Sequence, residues 1–208
     1  MAEIDVLILC NLKDLDGAAA RLRNEIQKQV GLAVNSIVRD WAEKEGWKGV
    51  FDWYGDEDIV WIADPSWRGE DEEDEDDYEF WFRLEASEGR DFENDPNGDQ
   101  FWLTSLCSAG RSTLGFRSCQ DAYKYPKGRK WKAKIEPFVQ EFIKLGFTYD
   151  NANGQVFLPI AVDQERLARA LENEDVREAL EPVIATLDRL IQARPVIDQL
   201  RAIAKIPQ

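Results

Sequence analysis

The order of hydrophobic patterns in this sequence predicts an α+β fold, in which a long N-terminal helix packs on an antiparallel, tryptophan-rich sheet and a C-terminal helical region follows. Apolar residues first recur every three or four positions, the period of a helix, and then every second position in several short segments, the period of a strand. Because these strands follow one another before the next helix, we expect antiparallel pairing and no parallel βαβ units. We place the α+β domain at residues 1–160 and the C-terminal helical region at 161–208.

The N-terminal helix is predicted over residues 14–45 and ends at Gly46. Its apolar positions are Leu15, Ala19, Leu22, Ile26, Val30, Ala33, Ile37 and Trp41. If this helix packs on the sheet along its whole length, Leu22, Ile26 and Ile37 are buried. Residues 4–9 alternate in polarity, so they form either a short strand or the first turns of the helix.

The strands are predicted at 50–54 and 59–63, joined by a turn at 55–58, and at 78–86. In the third strand, one face is expected to carry Tyr78, Phe80, Phe82, Leu84 and Ala86, and the other Glu79, Trp81, Arg83 and Glu85. A further hairpin is predicted from residues 101–107 and 113–118.

The second half of the chain is predicted to begin with an amphipathic helix at 132–145. A hairpin of residues 147–149 and 155–158 follows, turning through Asn151-Ala152-Asn153-Gly154. Asp163 is a suitable N-cap for the helical tail, in which we expect breaks or kinks near Asn173, Pro182 and Pro195.

Composition excludes several chemistries. The chain has no histidine, which removes the usual general base and the commonest metal ligand. Its three cysteines, Cys10, Cys107 and Cys119, have no metal-binding spacing and are expected to be buried free thiols. We therefore predict no catalytic residues, no metal and no cofactor. The chain opens without a basic leader and has no apolar run long enough to span a membrane, so we expect a cytoplasmic protein.

The charge distribution is the most unusual feature of the sequence. The net charge is −15, yet residues 52–99 hold 20 acidic residues against three arginines, so that the remainder is almost neutral. The acidic excess culminates in a continuous run, Glu70, Asp71, Glu72, Glu73, Asp74, Glu75, Asp76 and Asp77. A basic run of six residues lies further along, comprising Lys124, Lys127, Arg129, Lys130, Lys132 and Lys134.

This layout favours a non-enzymatic protein whose acidic run binds a basic partner surface. Inhibitors, immunity proteins, antitoxins and DNA mimics use such electrostatics, and a field this negative repels nucleic acid and anionic membranes. Eight tryptophans provide candidate anchors, of which Trp67 and Trp81 flank the acidic run. In the simpler interpretation, the run is only a solvated loop, partly neutralised by the basic run.

Two alternatives remain open. Carboxylates borne by strands after a helix, here Asp52, Asp58, Asp64 and Glu79, are similar to the metal ligands of PD-(D/E)XK nucleases, which would imply Mg²⁺-dependent hydrolysis. However, the acid-x-Lys triplet of that family is absent from the sequence. Alternatively, the chain is an assembly protein that forms a homo-oligomer through its C-terminal helices.

Overall fold

The computed structural model describes residues 2–53, 59–69, 77–87, 99–173 and 175–206, which form an α+β fold. Its helices are α1 (Ala2–Cys10), α2 (Leu12–Arg21), α3 (Gln27–Glu45), α4 (Trp102–Leu106), α5 (Gly128–Ile135), α6 (Val139–Lys144), α7 (Gln164–Glu172) and α8 (Glu181–Ala204). Its strands are β1 (Lys48–Asp52), β2 (Ile59–Ala63), β3 (Phe80–Ala86), β4 (Leu114–Gln120), β5 (Thr148–Asp150) and β6 (Gln155–Pro159). Short 3₁₀ turns occur at Pro65–Trp67, Glu136–Phe138 and Glu178–Leu180.

The strands form one sheet in the order β1-β2-β3-β4-β6-β5, and every neighbouring pair is antiparallel. The predicted antiparallel sheet is therefore confirmed, and β2 has the predicted bounds. The turn predicted at 55–58 lies outside the described residues. Chain reversal at Gly154 uses a backbone φ of 71°, a value that favours glycine.

One face of the sheet forms the core with α3 and α8. On β3, the side chains of Phe80, Phe82, Leu84 and Ala86 are buried, and the intervening residues are only partly buried. The tryptophan-rich core is confirmed, because edge-to-face contacts join Trp41 to Trp47 and Trp47 to Trp67, with ring centroids 5.3 and 5.2 Å apart. Such aromatic contacts add to the stabilisation provided by burial alone.

The N-terminal helix differs from the prediction in its packing. Residues 2–10 are helical, and a five-residue π-helical segment, Leu22–Ile26, separates α2 from α3. Ile37 of α3 is fully buried, whereas Leu22 and Ile26 pack against the core but are only partly buried. Gly46 ends α3 in the left-handed conformation, as expected.

Two further segments correct the sequence prediction. Residues 102–106 form the short helix α4 instead of a strand, and its buried Trp102, Leu103 and Leu106 follow helical spacing. The helix predicted at 132–145 is divided by a 3₁₀ turn at Pro137, because proline cannot donate the backbone hydrogen bond that would continue it.

The C-terminal helical region departs from expectation at Pro195. Helix α8 continues through Pro195 without interruption, and burial of Ala193, Val196 and Ile197 on either side holds it against the core. Within the described residues the three cysteines form no disulfide; Cys10 is exposed and the other two are only partly buried, so the expected burial is wrong. Among the described residues, no helix has the length and apolar character needed to cross a membrane.

Candidate functional site: the base of the acidic hairpin

The acidic run lies in the connection between β2 and β3, and the structure describes both ends of that connection. Residues 59–69 lead into it and residues 77–87 lead out of it, so Asp77 is the one described member of the run. The predicted partner-binding residues from Glu70 to Asp76 lie outside the described residues.

The two ends pair with each other as an antiparallel stem. Arg68 and Tyr78 form a β-bridge, the Gly69 N–H donates to the Asp77 carbonyl at 2.7 Å, and the Glu79 N–H donates to the Trp67 carbonyl at 2.9 Å. A Cβ at position 69 would meet only the end of the flexible Asp77 side chain, so this close approach does not require glycine. We call residues 67–79 the acidic hairpin, and the acidic run connects its two arms.

Trp67 fixes the first arm of the hairpin to the core. Its position beside the acidic run makes it a candidate anchor for a partner, but its side chain is fully buried. Its indole Nε1–H donates to Asp198 Oδ1 of α8 at 2.8 Å, and its ring packs edge-on against Phe80. A large aromatic side chain beside the core face of β3 gains more from burial than from exposure. Trp67 therefore positions the acidic hairpin and does not touch a partner.

Asp64 shapes the chain just before the hairpin. Its Oδ1 accepts hydrogen bonds from the backbone N–H and the hydroxyl of Ser66 at 2.8 and 2.6 Å, which caps the 3₁₀ turn at Pro65–Trp67. Its other oxygen forms an ion pair with Arg194 Nη1 of α8 at 3.0 Å. Because Asp64 is buried, this pairing compensates for the loss of hydration.

Glu79 shapes the chain where the hairpin ends. Its carboxylate is 1% exposed and meets two cations, Arg201 Nη2 at 3.2 Å and Lys205 Nζ at 2.8 Å, while the Tyr125 hydroxyl lies 3.4 Å away. Burial raises the pKa of this carboxyl, but hydrogen bonds and charge from Lys205 and Arg201 outweigh burial and hold the pKa below its ordinary value. Glu79 is therefore an ionised structural group.

The partners of the hairpin base come from one stripe of α8. Arg194, Asp198 and Arg201, with Lys205 at the helix end, follow spacings of four, three and four, which place them on one side of a helix. The Arg201 guanidinium also donates to the Ser66 carbonyl at 3.2 Å and to the Tyr125 hydroxyl at 3.2 Å. These charged residues recur at helical spacing beside an apolar stripe, a sequence signal that marks the stripe but not its buried partners.

Trp81, the second proposed anchor, lies on the outward face of the sheet and is partly buried. It pairs in register with Cys119, and its neighbour Arg83 pairs with Trp61. The Tyr78 ring lies 5.4 Å from that of Trp61, which places Tyr78 on the outward side as well. The predicted faces of Tyr78 and Glu79 are therefore exchanged, because a bend at Glu79 interrupts the two-residue alternation before β3 begins.

Arg117 organises the rest of the outward face. It is 7% exposed, pairs with Glu85 across the sheet, and donates to the Ser87 carbonyl at 2.6 Å. Its guanidinium stacks on the Phe157 ring at 5.1 Å, and Asp150 lies 3.8 Å away. Burial raises the pKa of Asp150, but hydrogen bonds from Asn153 and Ala152 and the charge of Arg117 lower it overall. These contacts brace the face that carries Trp81.

The carboxylates considered as nuclease ligands occupy different environments. Asp64 and Glu79 are each ion-paired with cations of the α8 stripe, Asp52 lies on the edge strand β1, and Asp58 is outside the described residues. Within the described part of the chain, no three side chains of histidine, cysteine, aspartate or glutamate come together as a metal site. The two buried acids are thus engaged in holding α8 on the hairpin.

The basic run surrounds the start of α5. Its residues form no ion pair with any carboxylate in the described ranges. Lys134 instead donates to the Ile203 carbonyl at 2.8 Å, and Lys127 lies 5.8 Å from the ring of the exposed Tyr123. This part of the structure gives no support to mutual neutralisation of the two runs.

Neither the sheet nor its covering helices specify a function, because the same elements serve many activities in other proteins. Compared with protein-family models, curated proteins and solved structures, the chain matches none.

Proposed function

We propose that this is a non-enzymatic binding protein that presents its acidic hairpin to a basic protein surface, in the manner of an inhibitor, an immunity protein, an antitoxin or a DNA mimic. The observation that carries this proposal is the stem. The acidic run leaves and re-enters the fold through a hydrogen-bonded pair of arms, and α8 holds both arms from behind.

The stem confines the charge. Arms of an antiparallel pair lie about 5 Å apart. Eight peptide units join Gly69 to Asp77, and the stem holds these two residues together, so the acidic run is tethered at both ends. Carboxylates held so close repel one another, and a cationic surface relieves that repulsion on binding. A run that served only solvation would not require a buried base.

Burial of charged residues at the base of the acidic hairpin carries a desolvation cost, which favours a role for these residues in positioning the hairpin. Burying Asp64 and Glu79 removes two carboxylates from water, and their ion pairs with the α8 stripe are needed to offset that cost. Hydrophobic residues would hold α8 with less penalty. The charged residues instead specify one docking position for the helix, and that position fixes both arms of the acidic hairpin.

Trp81 supplies the short-range part of the proposal. It is partly exposed on the outward face, three residues beyond Tyr78 of the stem. Tryptophan provides a large apolar contact area, and interface hot spots are enriched in it. We expect the acidic hairpin to govern the rate of association and Trp81 to govern the rate of dissociation.

The test uses two variants of equal charge. In the first, Glu70–Asp77 is replaced by alternating Ser and Asn. In the second, eight exposed carboxylates elsewhere are changed to Gln or Asn, namely Glu43, Glu136, Glu141, Glu165, Glu172, Asp175, Glu178 and Glu181. Both variants gain the same net charge. The probe is an immobilised lysine-rich peptide, and association and dissociation rates are measured from low to high salt.

Neutralising the run is expected to slow association at low salt by roughly tenfold or more, whereas the control variant changes it only slightly. The difference should vanish at high salt, where exposed charges are screened. Equal rates for both variants would show that only total charge matters, and the proposed recognition surface would be wrong. A cationic protein captured from native lysate is then tested with the same pair and with Trp81→Ala.

A further inference from the structure

Helices α1 and α2 expose an unusual amount of apolar surface. Seven large aliphatic side chains in their first fifteen residues are about half exposed or more. They are Ile4 (64%), Val6 (59%), Leu7 (64%), Ile8 (45%), Leu9 (66%), Leu12 (55%) and Leu15 (48%). Neither α2 nor the π-helical segment after it contains a buried residue. Leu22 and Ile26 of the π-helical segment pack partly against the core, whereas the large apolar side chains of residues 4–15 are left exposed by the domain that carries them.

The apolar residues follow the seven-residue pattern of helices that pair with helices. Leu12, Leu15, Ala19, Leu22 and Ile26 are separated by three, four, three and four positions. Ile8 precedes Leu12 by four positions across the junction between α1 and α2, where the backbone of Asn11 is not helical. We call these six residues the N-terminal stripe. The stripe continues into the buried side of α3 through Val30 and Val34. From Leu22 to Val34 the apolar residues are therefore four positions apart. The π-helical segment lies at the start of this stretch, and its wider turn keeps these residues on one side of the helix.

The exposed area suits a protein interface. A typical monomer has a largest apolar patch of about 300–600 Å², and a stable interface buries roughly 800 Å² per partner. Seven aliphatic side chains exposed to this extent, together with the rest of the stripe, are of the size that a stable dimer needs. The apolar residues of α1 also surround the helix, so one neighbouring helix does not cover them all.

A membrane is a poorer occupant than a second protein. The nine residues of α1 extend about 14 Å, half of the roughly 30 Å hydrocarbon core. Helices that lie on anionic membranes carry basic residues on their polar side. Here the first basic residue is Lys13, and it is preceded by Glu3 and Asp5.

Charge also indicates how two copies would align. Residues 2–16 hold four acidic residues and one lysine, whereas residues 17–28 hold three basic residues and one glutamate. A parallel pair would place the two acidic halves side by side. An antiparallel pair places each acidic half beside the basic half of the other copy, which is favourable.

We propose that α1 and α2 of two copies pair antiparallel to form a two-fold symmetric dimer. If residue 17 of one copy lies opposite residue 17 of the other, each residue of the N-terminal stripe lies opposite another residue of the stripe. Leu15 then lies opposite Ala19 of the partner subunit, and Ile8 lies opposite Ile26 of the partner subunit. In this arrangement, α1 of each copy lies beside the start of α3 in the other copy. The apolar residues of α1 are therefore covered on more than one side of the helix. The interface is self-complementary, as two-fold dimers require.

The first experiment measures mass in solution by light scattering and sedimentation for wild type, Leu12→Asp and Ile143→Asp. Leu12 and Ile143 are both exposed, at 55% and 46%, so neither substitution removes core packing. We expect a wild-type dimer, an Ile143→Asp dimer, and a Leu12→Asp monomer whose dimer dissociation constant has risen by roughly 100-fold or more. Circular dichroism confirms that each variant is folded.

The second experiment tests the orientation with spin labels on Cys10, which is exposed, in a Cys107→Ala/Cys119→Ala background. In the antiparallel pair the two positions are separated by 14 residues of helix, or about 21 Å along the axis, whereas a parallel pair brings them within about 10 Å. A short distance would overturn the antiparallel arrangement.

A wild-type protein that stays monomeric up to ~100 μM would overturn the dimer. Flotation of that monomer with phosphatidylcholine vesicles would assign the stripe to lipid instead.

Discussion

Two long apolar-striped helical segments, α8 and α1–α2, have opposite environments in this protein. On α8, Leu187, Leu190 and Ile197 are fully buried against the core. On α1, Leu7 and Leu9 are 64% and 66% exposed. Apolar spacing alone therefore did not determine which helix would pack on its own domain.

The polar residues account for the difference. The stripe of charges on α8 meets buried partners at fixed positions, with Arg194 on Asp64 at 3.0 Å and Lys205 on Glu79 at 2.8 Å. The charges on α2 have no such partners in the described chain, and Arg21 pairs only with Glu25 of the next turn, at 3.6 Å and largely in solvent. An apolar stripe provides the surface that a helix can bury, and buried polar contacts determine the position in which the helix packs.

This comparison also revises the sequence-based expectation about assembly. Most large apolar side chains of α8 are buried within its own domain, although Ile203 is 48% exposed, whereas those of α1 are exposed. The exposed apolar area of α1 and α2 is therefore larger than that of α8, and it favours the N-terminal stripe over the C-terminal helices as a contact between copies.

The largest effect on the α8 side is expected from Glu79→Gln. The substitution keeps the shape of the side chain but leaves Arg201 and Lys205 against a neutral group in a buried site. We expect a loss of about 3–5 kcal/mol in the free energy of unfolding, measured in urea. Glu178→Gln is the control, because its ion pair with Arg166 is exposed and should be worth less than about 1 kcal/mol.

Acid provides an independent check on Glu79. Because its folded pKa is lowered, its contribution is complete above the unfolded value of about 4.3 and is lost as the pH falls through the folded pKa. Wild type should therefore lose stability below about pH 4 more steeply than Glu79→Gln. Parallel curves for the two proteins would mean that the carboxylate is not ionised in the folded state.

The second prediction compares the two helices directly. Leu190→Ala removes a fully buried side chain from α8 and should cost about 2–5 kcal/mol. Leu12→Ala removes an exposed side chain from α2, and at concentrations where the protein is monomeric it should change stability by less than about 0.5 kcal/mol. A large loss at Leu12 in the monomer would show that α2 is docked on its own domain.

Much of the fold was predictable from the sequence because its strands alternate cleanly. The bounds of β2, the buried residues of β3 and the hairpin through Gly154 all follow from local patterns. Helix α4 was not predictable, since a short apolar run suits a buried strand and a buried helix equally well.

The base of the candidate site was harder to predict. The bend that exchanges the faces of Tyr78 and Glu79 occurs at a single residue, which no two-residue period detects. The partners of Glu79 lie more than 120 positions away on α8, and only the folded structure brings them together. Trp67 is a candidate anchor in the sequence because it flanks the acidic run, but local pattern does not distinguish an exposed tryptophan from a buried one, and its large apolar area favours burial.

The smallest effect concerns the single hydrogen bond between Trp67 and Asp198. Trp67→Phe retains an aromatic ring and removes the indole N–H that donates at 2.8 Å, while Asp198→Ala removes the acceptor. A double-mutant cycle should give a coupling free energy of about 1–2 kcal/mol, since Asp198 remains partly in solvent. If Trp67 fixes the acidic hairpin as proposed, either substitution should also slow association with the lysine-rich peptide, because the charges are then less well ordered. A coupling near zero, with unchanged association, would assign the position of the hairpin to the Glu79 ion pairs alone.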